Sequence, residues 1–141
     1  MATGRGREEY WTQRSFFDFI DQFLSADIYE PCRWTFAIPN GGSRHPAEAM
    51  NLKLTGVKRG VPDVCNPLSS ADKSKKGFYF EFKSSIGKPS KEQKAFLERM
   101  EQDGWTVGIY TDYVPAIAKM LDHFGLPYPK ALQNAISYPR G

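Results

Sequence analysis

Cysteine, histidine and long apolar runs are all scarce in this chain, and each shortage removes a class of function. Two cysteines, Cys32 and Cys65, and two histidines occur among 141 residues, with no Cys-x-x-Cys and no Cys/His pair at zinc-ligand spacing. Neither a disulfide framework nor a zinc knuckle organises such a chain, and buried reduced thiols are expected. No stretch of about 18 apolar residues is present to span a bilayer, and mean hydropathy is −0.53. Met1 to Glu9 is polar and ends in two adjacent glutamates, so no secretory signal is expected and a soluble, cytoplasmic protein without membrane contact is predicted. With 40% hydrophobic and 14% aromatic residues, the chain can bury one good core and not two. One domain over residues 1–141 is therefore expected, with a core of about 8–124 and a tail of 125–141. Internal repeats, low-complexity tracts and phosphate-binding glycine loops are absent as well, which disfavours a cofactor-dependent small-molecule enzyme.

Periodicity and breakers give the order of elements. An amphipathic helix is predicted over Glu8 to Leu24, with Phe16, Phe17 and Ile20 on its apolar face. A strand over Trp34 to Ile38 should stop at Pro39, and a short helix over Pro46 to Leu54 has proline near its first turn. Two strands follow, Val61 to Cys65 and Gly77 to Lys83, joined by the Ser- and Pro-containing loop of Asn66 to Lys76. Ser90 to Gln102 is a second strong helix with Ala95, Phe96, Leu97 and Met100 as its apolar face, ending at Asp103-Gly104. Trp105 to Tyr110 reads as a strand and Val114 to Phe124 as a helix opened by Pro115, after which Pro127 and Pro129 break the pattern. The tail beyond is expected to dock or dimerise. The layout is α/β: a mixed β-sheet flanked by helices, its parallel part made where the lysine strand feeds a crossover helix and then Trp105 to Tyr110.

The chemistry concentrates in Gly60-Val61-Pro62-Asp63 and, eighteen positions after the aspartate, Glu81-Phe82-Lys83. In Gly77-Phe78-Tyr79-Phe80-Glu81-Phe82-Lys83 the strict alternation sends Phe78, Phe80 and Phe82 to one face, and Tyr79, Glu81 and Lys83 to the other. Pro62 restricts Val61 to extended angles, and a hairpin between the two strands would present Asp63 beside Glu81. Two carboxylates that close repel each other unless a cation lies between them, and hard oxygen donors favour Mg2+ or Mn2+ over zinc. Lys83 would orient a water or counter charge developing on a phosphoryl group. Charge is distributed to match. Arg44 to Lys94 holds eleven Lys/Arg against five Asp/Glu, whereas Met1 to Glu30 holds three against six. Such a block is the footprint of a phosphate-backbone binder, with Arg44, Lys53, Lys58, Arg59, Lys88 and Lys91 as candidate contacts. Lys73, Lys75 and Lys76 read as solvated turn residues, and His45 as an ordinary loop histidine before Pro46.

A wider pattern surrounds these residues. Glu9-x-x-x-Gln13, Asn40-Gly41-Gly42-Ser43-Arg44, Gly56 to Asp63, Phe80 to Ser84 and Gly87 to Gln93 follow one another over roughly residues 9 to 120. In this order and spacing the chain resembles the virus-type replication-repair nuclease (VRR-NUC) domains of the PD-(D/E)xK superfamily. The resemblance implies a restriction-endonuclease-like core and Mg2+ or Mn2+ dependence. It further implies that Asp63, Glu81 and the carbonyl of Phe82 bind metal, with Glu9 as an additional ligand, and that Lys83 is the catalytic lysine. Gln93 matches a glutamine that would hold a nucleophilic water or a phosphate oxygen, although Ser90-x-x-Gln93 is also a capping box. Gln13, one turn after Glu9, would line the cleft or lie solvated near the helix end.

Small stand-alone members of that family act as dimers on branched DNA, which implies a homodimer, a four-way (Holliday) junction as the favoured partner, and a bacterial or phage-infected cell as the setting. Paired nicks on opposing strands suit a two-fold dimer. No zinc finger or recognition helix is evident, so selectivity is expected to come from DNA shape. A flap-cutting or general nicking endonuclease, and a DNA-binding module that does not cut, are the alternatives.

Overall fold

The computed structural model describes residues 4–39 and 45–138. Helix α1 spans Gly4–Phe23, and a 3-10 helix at Asp27–Trp34 leads to the two-residue strand β1, Phe36–Ala37. Helix α2 is Pro46–Leu54, followed by β2, Val64–Asn66, and β3, Phe78–Phe82. Helix α3, Lys91–Gln102, crosses to β4, Thr106–Tyr110, and helices α4, Tyr113–His123, and α5, Lys130–Ser137, follow. The four strands form one sheet in the order β1-β2-β3-β4. Pairing is antiparallel for β1 with β2 and β2 with β3, and parallel for β3 with β4. This is the mixed, helix-flanked sheet expected from the sequence.

Strand β3 lies in the middle of the sheet and is covered on both faces. Phe78, Phe80 and Phe82 join Phe16, Phe19, Ile20, Ile117, Met120 and Leu121 in the main core, beneath α1 and α4. On the opposite face Tyr79 lies edge-on to Phe96 of α3 and against Trp105. Helix α3 begins at Ser90, whose Oγ accepts from the Gln93 N–H (3.1 Å) while the Gln93 Oε1 accepts from the Ser90 N–H (2.8 Å). This reciprocal pair is the predicted capping box. The helix ends at Asp103, and Gly104 takes φ +94°, a left-handed angle that glycine adopts without a Cβ penalty.

Several elements differ from expectation. Helix α1 begins at Gly4 and not at Glu8. Only Phe36 and Ala37 of the predicted Trp34 to Ile38 strand form a strand, because the residues up to Trp34 wind into a 3-10 helix that contains Pro31. Tyr29 and Cys32, three apart, are its buried residues, the spacing of a helix with three residues per turn. Ala95 is exposed, so the buried side of α3 reduces to Phe96, Leu97 and Met100 together with part of Gln93. The tail expected to dock or dimerise contains a helix, which the sequence reading did not predict. Proline at the N-cap opens α5, and Leu132 is fully buried against the core that α4 helps to build. Cys32 and Cys65 are free and buried, and burial pushes both thiols up, Cys32 to about 12.

Candidate active site

The register of the β2–β3 hairpin creates the site. Val64 pairs with Phe80, so Asp63, one residue before β2, comes level with Glu81. Asp63 is pinned from two sides: its carbonyl accepts from the Ile38 N–H at 2.7 Å, and its Oδ2 accepts from the Phe82 N–H at 2.8 Å. Gly60 sets the approach to it. Its φ is +85°, and a Cβ there would stand 2.6 to 2.8 Å from Glu92 atoms in the first turn of α3. The Gly60-Val61-Pro62-Asp63 segment is thus pressed against the start of α3, as only glycine permits.

Glu81 is the unusual residue. It is 2% exposed, and its Oε2 has no hydrogen-bond partner. Lys83 Nζ lies 3.9 Å from that oxygen, too far for a hydrogen bond. Burial raises the Glu81 carboxyl to about 9, helped by its hydrogen bond with Asp63 and by the charge of Asp63, while Lys83 pulls it down and Glu9 adds a small push upward. A buried acid oriented toward a second carboxylate, with one oxygen unsatisfied, is an arrangement that a hard cation would relieve. The oxygen donors of Asp63, Glu81 and the Phe82 carbonyl suit Mg2+ or Mn2+ in kind. Among the described residues, however, no three His, Cys, Asp or Glu side chains gather as a metal-binding group.

The third acidic candidate, whose charge bears on Glu81, also has a backbone partner. Glu9 Oε1 accepts from the Ser84 N–H at 3.3 Å. The neighbouring Glu8 Oε2 accepts from both the N–H (2.9 Å) and the hydroxyl (3.2 Å) of Ser85. Two successive glutamates of α1 therefore grip the two residues that follow Lys83. Glu8 is not legible as a site residue in the sequence, since nothing local announces a contact across 77 positions.

These groups line a cleft of about 1060 Å³ whose lining includes Glu9, Asp63, Glu81, Phe82, Lys83 and Gln93 together with Leu52, Lys53, Val57, Lys58 and Arg59. Gln13, half-buried on α1, does not reach it. Of the six candidate phosphate contacts, Lys53, Lys58 and Arg59 face the cleft, Lys88 and Lys91 are exposed outside its lining, and Arg44 lies outside the described residues. The Asn40 to Arg44 motif lies outside them too. Gln93 lines the cleft, yet its Oε1 serves the capping box. His45 acts as N-cap of α2, its Nδ1 accepting from the Ala47 N–H at 3.2 Å. Lys76 is held by Asp103 at 2.8 Å, in keeping with a turn residue.

No protein-family model matches this chain, and no curated protein does. Among solved structures, a VRR_NUC domain protein superimposes with a TM-score of 0.63 at 17% identity, over 83% of this chain and 90% of that one. At such identity the likeness is one of fold. The chain has the VRR-NUC fold, a restriction-endonuclease-like α/β core.

Proposed function

We propose that this protein is a divalent-metal-dependent, structure-selective endonuclease that hydrolyses phosphodiester bonds in branched DNA, with the four-way junction as favoured substrate and a homodimer as the working form. One observation carries the reading: the buried Glu81 carboxyl, with its unsatisfied oxygen, meets Asp63 and Lys83 at the end of β3 within a cleft that Lys53, Lys58 and Arg59 also line. In this reading Asp63 and Glu81, with the Phe82 carbonyl, hold Mg2+ or Mn2+. When bound, the cation supplies positive charge to the scissile phosphate and promotes ionisation of water. Lys83 orients the attacking water and offsets charge that develops on the phosphoryl oxygens. Glu9 and Glu8 fix the turn after Lys83, so the ammonium is presented from a settled backbone. Gln93 offers its side-chain amide N–H to a water or a phosphate oxygen while its Oε1 caps α3. Lys53, Lys58 and Arg59 follow the phosphate backbone, with Arg44, Lys88 and Lys91 extending the track.

Junction preference and dimerisation rest on symmetry, because one site per chain makes one nick and resolution requires two. The test incubates labelled four-way junction, flap, single-stranded and linear duplex DNA with the protein in magnesium, in manganese and in EDTA, beside Lys83→Ala. Paired, metal-dependent cuts on the junction are expected, with cleavage falling by about 10²- to 10³-fold in Lys83→Ala. Sedimentation at working concentration should return the mass of two chains. Cutting of every substrate would favour a general nicking enzyme, a reading consistent with a cleft whose cations suit any phosphate backbone. Binding without any cleavage would leave a DNA-binding module.

A further inference from the structure

Helix α2 has no buried residue. Met50 is 54% exposed, Leu54 is 76% exposed and Val57, just past the helix, is 40% exposed. A helix with both apolar and charged residues and no core side is ordinarily unstable alone. Its C-terminus is nevertheless firmly built. The Val57 N–H donates to the Leu52 carbonyl (2.9 Å) and the Gly56 N–H to the Lys53 carbonyl (3.2 Å), with Gly56 at φ +104°. This is the double bond of a Schellman ending, and it fixes Val57 to the helix. The result is a firmly built apolar knuckle, Leu54 and Val57, close in sequence to Lys53, Lys58 and Arg59; Val57 and the three cations line the same cleft as Asp63, Glu81 and Lys83, while Leu54 is exposed outside that lining. Among the described residues none of those three cations has an ion-pair partner.

We propose that this knuckle is a branch-reading wedge, with Leu54 and Val57 resting on base faces exposed where DNA stacking is interrupted. The inference rests on the reading of the cleft as a DNA-cutting site. Charge complementarity selects the occupant. Two copies of this patch related by a dyad would oppose like cations, whereas phosphates would neutralise them. The apolar component then narrows the DNA. An intact duplex presents sugars, phosphates and base edges, and an aliphatic side chain gains a base face only where a step is kinked or unstacked. A junction centre, a flap base or a nick supplies that opening, so the wedge would give preference for branched over linear DNA without a base-edge contact.

The experiment uses the full chain in EDTA, without cleavage, and four-way junctions carrying a fluorescent adenine analogue that stacking quenches, placed at the branch or in mid-arm. The parent protein should raise emission from the branch position and leave the mid-arm probe unchanged. Leu54→Ser and Val57→Ser, both at exposed positions, should remove the rise and lower the junction-over-duplex binding ratio by about tenfold together, the order expected when an apolar side chain loses its contact. Leu54→Met should retain both. An unchanged rise in the double variant, no rise with the parent, or failure of the parent to bind the junction would overturn the wedge. Cutting in magnesium without the rise would sink the wedge and spare the nuclease. The rise without cutting on any substrate would sink the nuclease and spare the wedge as a binding device.

Discussion

The two ends of β3 lie four positions apart and are built on opposite terms. At the first end Phe78 and Phe80 are fully buried and stacked at 4.2 Å, with Phe16 and Tyr110 edge-on to Phe80. At the far end Glu81 is nearly as buried, yet it meets a second carboxylate and leaves an oxygen without a partner. The same strand therefore gains stability at one end and gives some up at the other. A costly group is held in place here by its neighbours along the chain. The apolar end fixes the strand so firmly that the polar end has no freedom to relax.

Phe80→Ala should weaken the apolar end most. It removes a fully buried ring from the centre of the core, and a loss of about 3 to 5 kcal/mol is expected. Denaturant unfolding would measure it, and a loss below about 1 kcal/mol would mean that the core can collapse around the gap. Glu81→Gln runs the other way. It keeps the shape and removes the buried acid, so the variant in EDTA at neutral pH should gain roughly 1 to 2 kcal/mol of stability, as is common when functional strain is relieved. Cleavage should be abolished in the same variant. A destabilised Glu81→Gln would show that the carboxyl contributes to the fold and does not burden it.

Glu8→Gln probes how the polar end is aligned. The substitution replaces a charged acceptor at Ser85 with a neutral one, and charge-assisted bonds are roughly twice as strong as neutral ones. Cleavage should fall about 3- to 10-fold, with stability within about 0.5 kcal/mol of the parent, as for other surface changes. The pH profile and the magnesium dependence should shift along with the rate if the latch aligns the Lys83 end of the cleft. Ser85→Ala, which keeps the N–H donor, should have a smaller effect.

How much of this was legible follows from the range of each signal. Alternation in Phe78 to Phe82 and the Ser90-x-x-Gln93 box are local, and both appear as expected in β3 and at the start of α3. The level pairing of Asp63 with Glu81 needed only a hairpin, the shortest of the long-range contacts. The Glu8 and Glu9 grip on Ser84 and Ser85 spans more than 70 positions and leaves no periodic trace. Helix α5 was hidden by Pro127 and Pro129, which also serve as an N-terminal boundary for a helix. The eleven cations of the central block looked alike in sequence. Structure divides them, since Lys76 is engaged by Asp103 while Lys53, Lys58 and Arg59 face the cleft.

A weaker effect lies at the apolar end, where one polar side chain is buried and satisfied. The His123 ring stands edge-on to Phe78, 5.5 Å between centroids. Its Nε2–H donates to the Leu68 carbonyl (3.0 Å), and its Nδ1 accepts from the Thr106 hydroxyl (2.9 Å). That arrangement requires the neutral ring. Burial lowers the histidine from its ordinary value, the Leu68 hydrogen bond opposes this, the Lys119 charge adds to it, and Asp72 opposes it weakly. Below the ordinary histidine value the unfolded chain binds a proton that the folded chain refuses, so stability falls as pH drops through that window. The slope from this residue cannot exceed about 1.4 kcal/mol per pH unit. His123→Gln should therefore unfold more readily than the parent at neutral pH, and the gap should narrow on acidification from about pH 7 to 5. Parallel curves for parent and variant would mean that the ring already accepts its proton in the fold, with Thr106 turning its oxygen toward it.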